Sequence, residues 1–431
     1  MPANQASLAA YVRLLRENSN FRRLWLAQIV SEIGDWFYIL SIYSLLLQLT
    51  GKAQSVGLAV VLQVLPQTLV SPTAGVVLDR VSRRRVMIAA DLARMVIVSG
   101  MMLARSKETI WLVYPLLFLE TVMWGFFEPA RSAVIPNVVG EDDVLVANTV
   151  SSMTWSFNFA VGSGLGGLAA VLLGRDAVFV LNALSFLTSA LLIRRMKFHE
   201  PHAAGTPPFH LRELVDFSPI VEGARYIRKD LRMLVTVMLK GGVGMLGANW
   251  VIFPIMGERV FPVRLGGIDI ERGAVLGMSF LMGARGLGAL FGPLSASRWA
   301  SGSPSRMRKG IVLAFVAAAV GYMALSAAPD LLLACAAVVV AHGGASVVWV
   351  FSTTLLQQYS DNRFRGRVFS VDLSFCMTAI ALTSYTASVA VDHGISVREV
   401  AFVNGVAMLL PATAWLCALR LWREKRNPAV P

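Results

Sequence analysis

Charge is scarce in this 431-residue chain: 15% of its residues are Asp, Glu, Lys or Arg, against about a quarter in a soluble globular protein. Beside 56% hydrophobic residues, that deficit argues against two or three water-soluble domains and for repeated apolar runs of about twenty residues. Cysteine is scarcer still. Cys335, Cys376 and Cys417 all fall inside apolar runs, with no metal-ligand spacing and no disulfide framework, so they read as small packing residues. His199, His202, His210, His342 and His393 are scattered, and only His342 is near a mid-span. HExxH, CxxC, Ser-His-Asp and His-x4-Asp patterns are missing, which leaves no metal, no cofactor and no enzymatic site to assign. The GxxxxGK[ST] loop is missing too, so ATP does not drive this chain directly. No cleavable signal peptide opens it.

What is present is hydropathy in blocks. Spans read at 24–49, 54–77, 85–104, 109–129, 147–173 and 176–196, then at 232–256, 272–297, 309–328, 331–356, 367–391 and 399–422. The fold class is an all-α integral membrane protein with twelve transmembrane helices in two pseudo-symmetric six-helix bundles. The expected organisation is an amphipathic cytoplasmic segment over 1–23, bundles over 24–196 and 232–422, a central cytoplasmic loop over 197–231, and a tail over 423–431. Leu8, Tyr11, Leu14 and Leu15 among Arg13, Arg16, Arg22 and Arg23 predict a helix over 7–23, capped by Ser7, on the inner surface. Loops assigned inside hold about 28 Lys and Arg, those outside about 8. Both termini are therefore expected on the cytoplasmic side of a bacterial plasma or inner membrane. The net charge of +13 is mostly topological and implies no nucleic-acid partner.

The connection after the second span is Gly75-Val-Val-Leu-Asp79-Arg80-Val-Ser-Arg83-Arg84-Arg85. Four cations and one carboxylate in so short a stretch read as a tight cytoplasmic turn. Gly75 would permit close helix approach, and Asp79 would face a helix N-terminus. This order resembles the signature loop of the major facilitator superfamily, with Ser82 in place of the usual Gly and Val77 in place of Leu. The resemblance implies a conformational gate of Gly75, Asp79, Arg80 and Arg84, in which Asp79 caps a helix of the opposite bundle and Arg84 or Arg80 pairs nearby.

The halves echo one another weakly. Glu128-Pro-Ala-Arg131 after the fourth span and Arg363-Phe-Arg-Gly-Arg367-Val-Phe-Ser370 after the tenth read as short basic-to-polar turns. Gly292–Arg298 reads as a decayed counterpart of the Gly75–Arg85 turn. Glu222-Gly-Ala-Arg225-Tyr226 predicts a short helix before the seventh span. These patterns resemble the branch with bacterial macrolide and catecholate-siderophore exporters. Gly162-Ser-Gly164-Leu-Gly166-Gly167 resembles the antiporter signature, with Ser163 replacing its proline. That resemblance implies export in exchange for protons; a plain glycine packing seam is the other reading.

Ionisable groups inside spans are costly unless they face a cavity or a partner. Glu32 and Asp35 share a face of the first span, and Asp35 lies near its middle. Asp35, Glu120 and Glu32 are the proton-coupling candidates, since a carboxylate held away from water can exchange protons. Glu120, one turn before Trp124, suits a cationic or amphipathic substrate. Asp91 and Arg94, spaced i, i+3, are expected to neutralise each other as part of the gate, although Arg94 could answer Asp35 or Glu120 instead. Asp372 reads as an interfacial residue.

In the second half the interior charges are cations. Lys240 precedes Gly-Gly-Val-Gly, and Arg285 sits in Gly283-Ala-Arg-Gly-Leu-Gly288. With Asn249 they are assigned to the substrate, as contacts for an anionic group; snorkelling to a membrane face is the alternative. Acid in one half and base in the other suits an amphiphilic or zwitterionic molecule. The expected function is secondary active transport, as proton-coupled efflux of an amphiphilic drug or secondary metabolite by alternating access. Its partners would be the lipid bilayer, the substrate and protons, and the chain would act as a monomer. Alternatives are a lipid, lysophospholipid or anionic siderophore transporter of the same fold, or a non-transporting receptor or scaffold.

Overall fold

The computed structural model describes residues 8–200, 217–264, 266, 269–301, 303–361 and 363–424. Sixteen α-helices are described there. Twelve spans are long and apolar enough to cross a membrane. They match the hydropathy blocks one for one, and no described residue lies in a strand.

The chain divides into two compact units: Met1–Thr50 with Leu62–Asp216, and Gly51–Val61 with Phe217–Pro431. In the first unit the helices are α1 (Leu8–Glu17), α2 (Ser19–Thr50), most of α3 (Ala53–Arg80), α4 (Arg83–Gly100), α5 (Val113–Val138), α6 (Val144–Leu173) and α7 (Arg175–Arg194). Here α2 packs on α6 and α7, while α4 packs on α5 and α7. The helix expected over 7–23 is two helices. Asn18 interrupts it, accepting a hydrogen bond from Phe21 N at 2.9 Å and donating to Val138 O at 2.6 Å. The apolar face of α1 does not lie free on a surface: Ala10 and Leu14 join the core of Phe21, Leu24, Val134 and Ile193. Ser7, the expected cap, lies outside the described residues.

The second unit holds α8 (Ser218–Ile227), α9 (Leu231–Met245), α10 (Asn249–Arg259), α11 (Ile270–Ala300), α12 (Pro304–Ala327), α13 (Leu331–Tyr359), α14 (Arg365–Asp392), α15 (Val397–Ala407) and α16 (Leu409–Glu424). The outer end of α3 belongs to it, because Asp392 accepts from Ala53 N at 2.7 Å and Gln54 N at 2.8 Å. A carboxylate there satisfies amides at a helix start that would otherwise go unpaired.

Two spans are broken where the sequence explains it. The seventh passes through a 3-10 turn, Leu246–Ala248, between α9 and α10. Hydroxyls of α14 take up carbonyls around the break: Thr383 Oγ1 donates to Gly244 O at 2.9 Å and Ser384 Oγ to Gly247 O at 2.7 Å. A methyl group on Gly244 would stand 2.9 Å from Cys376 O, so glycine is what lets α14 come so close. The twelfth span breaks at Met408, because in an unbroken helix Pro411 would have no N–H for the carbonyl of Ala407, four residues back, and its ring would clash with it.

Three stretches read as turns are helical in whole or in large part. Glu128–Arg131 lies inside α5, Gly292–Arg298 lies inside α11 despite Pro293, and Arg363–Ser370 is helical from Arg365 on, where α14 begins. Within a helix paired against neighbours, freed backbone groups find other partners, and proline is tolerated.

Candidate functional site

The first unit concentrates its buried charge on Arg94. This side chain of α4 is 1% exposed. Its Nη2 donates to Asp35 Oδ2 on α2 at 2.6 Å, and its Nε to Glu120 Oε1 on α5 at 3.0 Å. Asp91, one turn back on α4, is farther, with Oδ1 at 3.8 Å from Nη1. The expected Asp91–Arg94 pairing is therefore secondary; the guanidinium fork answers the two carboxylates on other helices, where it can bond in its own plane. Tyr38 OH donates to Glu120 Oε2 at 3.5 Å, and Asn182 Nδ2 on α7 to Asp35 Oδ1 at 3.4 Å. The Arg94 guanidinium lies 4.0 Å from the centroid of the Phe186 ring.

Glycines set this geometry. On α2, Gly34 faces the Asn182 and Ser185 side chains of α7, where any larger residue would collide. On α6, a methyl at Gly162 would stand 2.8 Å from Trp36 Cβ, and one at Gly166 would stand 2.9 Å from Phe37 Cα. Those aromatic residues directly follow Asp35. The glycine run of the antiporter-like motif thus seats the α2 segment that carries the carboxylate. Ser163 and Gly167 are buried beside it, whereas a methyl on Gly164 would meet open space.

Glu32 belongs to a second polar cluster on the same helix. It accepts from Gln28 Nε2 at 2.9 Å and Asn158 Nδ2 at 2.8 Å. Arg131 holds Glu128 through Nη2 at 2.5 Å and Nε at 2.9 Å, and its Nη1 donates to Gln28 Oε1 at 3.1 Å. The Glu-Pro-x-Arg motif is therefore wired to Glu32 through Gln28. Trp124 sits one turn beyond Glu120, half-buried.

In the second unit Lys240 is 2% exposed, so it does not snorkel. It donates to Thr353 Oγ1 of α13 at 2.8 Å, lies 3.6 Å from Asp372 Oδ2 of α14, and sits 3.4 Å from the centroid of the Trp349 ring. Asp372 is 3% exposed and paired, not interfacial. It is two turns inside α14, because that helix starts at Arg365. Arg285 stacks its guanidinium on Trp250 at 4.1 Å. Asn249 is buried where α10 begins and donates to Leu246 O, closing the 3-10 turn. Its Oδ1 is buried and makes no hydrogen bond among the described residues.

The turn before α4 is held differently from its expected gate. Ser82 caps α4 and donates to Glu200 Oε2 at 2.5 Å. Arg84 Nη2 donates to Arg194 O at 2.5 Å, at the carbonyl end of α7 where a cation is favoured. Arg83 Nη1 donates to Ala133 O at 2.9 Å. Asp79 and Gly75 are exposed. A methyl on Gly75 would meet no atom within 4 Å, so it serves no close helix approach. Arg80 is half-buried.

In the second unit, two of the three patterns that suggest the exporter branch meet. Glu222 of α8 pairs with Arg367 of α14 at 3.0 Å, and Tyr226 stacks on Phe364 at 4.4 Å.

Reasoning from charged residues alone missed Tyr38, Asn182 and Phe186 around Arg94, and Thr353 and Trp349 around Lys240. Asn158 and Asn182, amides in apolar spans, were the readable signal.

Residues 13–429 match the family described as transmembrane secretion effector. The chain is 25% identical over 232 residues to the uncharacterized MFS-type transporter YfiS of Bacillus subtilis (strain 168), covering 52% of this chain and 53% of that protein. It is 26% identical over 177 residues to macrolide efflux protein A of Streptococcus pyogenes, covering 40% of this chain and 43% of the relative. Those matches span only 53% and 43% of the two relatives' lengths. Among solved structures, the nucleoside transporter NupG superposes with a TM-score of 0.71 at 11% identity, over 92% of this chain and 98% of that one, a likeness of fold.

Proposed function

We propose that this chain, which belongs to the transmembrane secretion effector family of the major facilitator superfamily, is a proton-driven exporter of an amphiphilic small molecule. Its transporter class follows from the family and the twelve spans. Export is the direction named for one relative, macrolide efflux protein A. The Lys and Arg distribution along the loops supports a bacterial inner-membrane location with both termini in the cytoplasm. A monomer suffices, and no nucleic acid is involved.

The observation that carries the proton-driven reading is the charge count around Arg94. One guanidinium faces Asp35, Asp91 and Glu120. With all four ionised the cluster would carry 1 − 3 = −2. Burial of unbalanced charge is strongly unfavourable, so a proton gained or lost in this cluster would rearrange the partners of Arg94. Asp35 is the port, because its side chain is 24% exposed while that of Asp91 is 0% exposed. Glu120, already shared between Arg94 and Tyr38, receives the polar end of the substrate, with Trp124 one turn away. Binding and protonation then compete for one arginine, which is how a proton gradient can bias a conformational equilibrium.

The test is gradient-driven movement of rhodamine 123 in proteoliposomes, wild type beside Asp35→Asn. Wild-type transport should collapse when an ionophore dissipates the gradient. In Asp35→Asn the gradient-driven rate should fall about tenfold or more, the scale on which couplings of this kind act, while downhill movement persists. Full gradient-driven transport by Asp35→Asn would remove Asp35 from the proton path. No dye movement under any gradient would turn the reading towards lipid transport.

A further inference from the structure

The Lys240 site in the second unit has unspent bonding capacity. An ammonium carries three N–H donors. Among the described residues, one meets the neutral hydroxyl of Thr353 at 2.8 Å. The Trp349 ring face takes the ammonium at 3.4 Å. The only carboxylate nearby among the described residues, that of Asp372, stands at 3.6 Å, just beyond hydrogen-bond reach. Its other oxygen, Oδ1, is buried and makes no hydrogen bond among the described residues. Both partners are thus dry and both are incompletely bonded, an arrangement that is costly unless something else completes it. Contrast Arg131, which holds its carboxylate by two hydrogen bonds at 2.5 and 2.9 Å.

The neighbours show what can complete it. Thr353 offers a hydroxyl beside the ammonium and can bond a second acceptor. Trp349 lies over the ammonium and is 37% exposed, whereas Lys240 and Asp372 are 2% and 3% exposed. Cys376, one turn after Asp372, is fully buried. A cation and a hydroxyl under an aromatic ring face suit a small flat anion.

We propose that Lys240 and Thr353, roofed by Trp349, bind an organic carboxylate group of the exported molecule, and that Asp372 is the internal counter-ion this group displaces. The proposal deepens the exporter reading by naming a substrate class, a carboxylate-bearing or zwitterionic amphiphile. In the empty protein Asp372 is the counter-ion of Lys240. On binding, the substrate carboxylate takes the donors that Asp372 reaches poorly. Discrimination then comes from the penalty on a ligand without the carboxylate, which leaves the ammonium donors unmet.

Binding, read separately from transport, tests this. Rhodamine 110 has a free carboxylate and rhodamine 123 is its methyl ester, so the pair differs at the group in question. Fluorescence polarisation with the full chain in lipid nanodiscs should show rhodamine 110 bound about tenfold more tightly than rhodamine 123, as expected for a hydrogen bond to a charged group. Lys240→Met should erase that preference. Asp372→Asn should strengthen rhodamine 110 binding by freeing Lys240, a change of opposite sign that loss of a merely structural pair would not give. Lys240→Arg, which keeps the charge, should retain the preference if Lys240→Met fails to fold. Equal affinity of the wild type for the two dyes, no measurable binding of the acid, or parallel weakening of both dyes by Asp372→Asn would overturn the proposal. A preserved acid preference without gradient-driven transport would support this site while removing the exporter reading.

Discussion

The most deeply buried cation of each unit faces carboxylate, and the two do so with opposite arithmetic. In the first, Arg94 is outnumbered by Asp35, Asp91 and Glu120, and its planar fork bonds two of them directly. In the second, Lys240 faces Asp372 alone, at 3.6 Å. Excess acid around a cation that never loses its proton makes a store for protons. A one-to-one pair held loosely by a compact ammonium makes a place where another anion can enter. The chemistry therefore differs by count and geometry more than by residue type.

The sharpest break of the comparison is Arg94→Met. It leaves three carboxylates buried without their cation, whereas no comparable surplus exists in the second unit. Breaking a buried pair from one side costs about 3–5 kcal/mol. We expect thermal unfolding in detergent to show a loss at or above that range, with gradient-driven transport abolished. Wild-type stability in Arg94→Met would mean that all three carboxylates are already protonated, and the charge argument would fail.

The next test removes both members of the balanced pair. Lys240→Met with Asp372→Leu replaces ions by apolar groups of similar size, a change that is commonly neutral or stabilising by about 1–4 kcal/mol. The double variant should therefore melt at or above the wild type, while Lys240→Met alone melts lower. No such rescue is available in the first unit by neutralising a single carboxylate together with Arg94, because two would remain. A double variant as unstable as Lys240→Met would show that Lys240 is held by its stacking on Trp349 and its bond to Thr353 rather than by charge.

The spans and the interior charges were readable because both follow from the cost of polar groups in hydrocarbon. Asp35, Glu120 and Arg94 were each visible as exceptions inside apolar runs. Which carboxylate Arg94 would choose was not, since the choice depends on how far α2 and α5 approach α4. Gly34, Gly162 and Gly166 set part of that approach, and their contacts exist only once helices pack. Two of the helical stretches misread as turns, Glu128–Arg131 and Gly292–Arg298, show a limit of local signals: proline and glycine end helices in water more reliably than inside a bundle. Asp372 was misplaced for a related reason. Its position near a span boundary suggested the interface, while the helix began earlier at Arg365 and carried it inward to Lys240.

The smallest effect, and the one that refines the count, is expected for Asp91→Asn. Asp91 is 0% exposed, and neither of its carboxylate oxygens makes a hydrogen bond among the described residues. Arg94 stands 3.8 Å away, spent on Asp35 and Glu120 at 2.6 and 3.0 Å. An ionised carboxylate so placed would be dry and poorly compensated. A protonated one would be a neutral group of nearly the size and shape of asparagine. If Asp91 rests in the neutral form, the substitution should shift unfolding by less than about 1 kcal/mol, as near-isosteric changes do, and gradient-driven rhodamine 123 transport should persist. A loss of about 3–5 kcal/mol would instead place Asp91 among the ionised partners of Arg94. The excess of acid around Arg94 would then have to be balanced elsewhere in the cluster, and the difference between the two units would narrow.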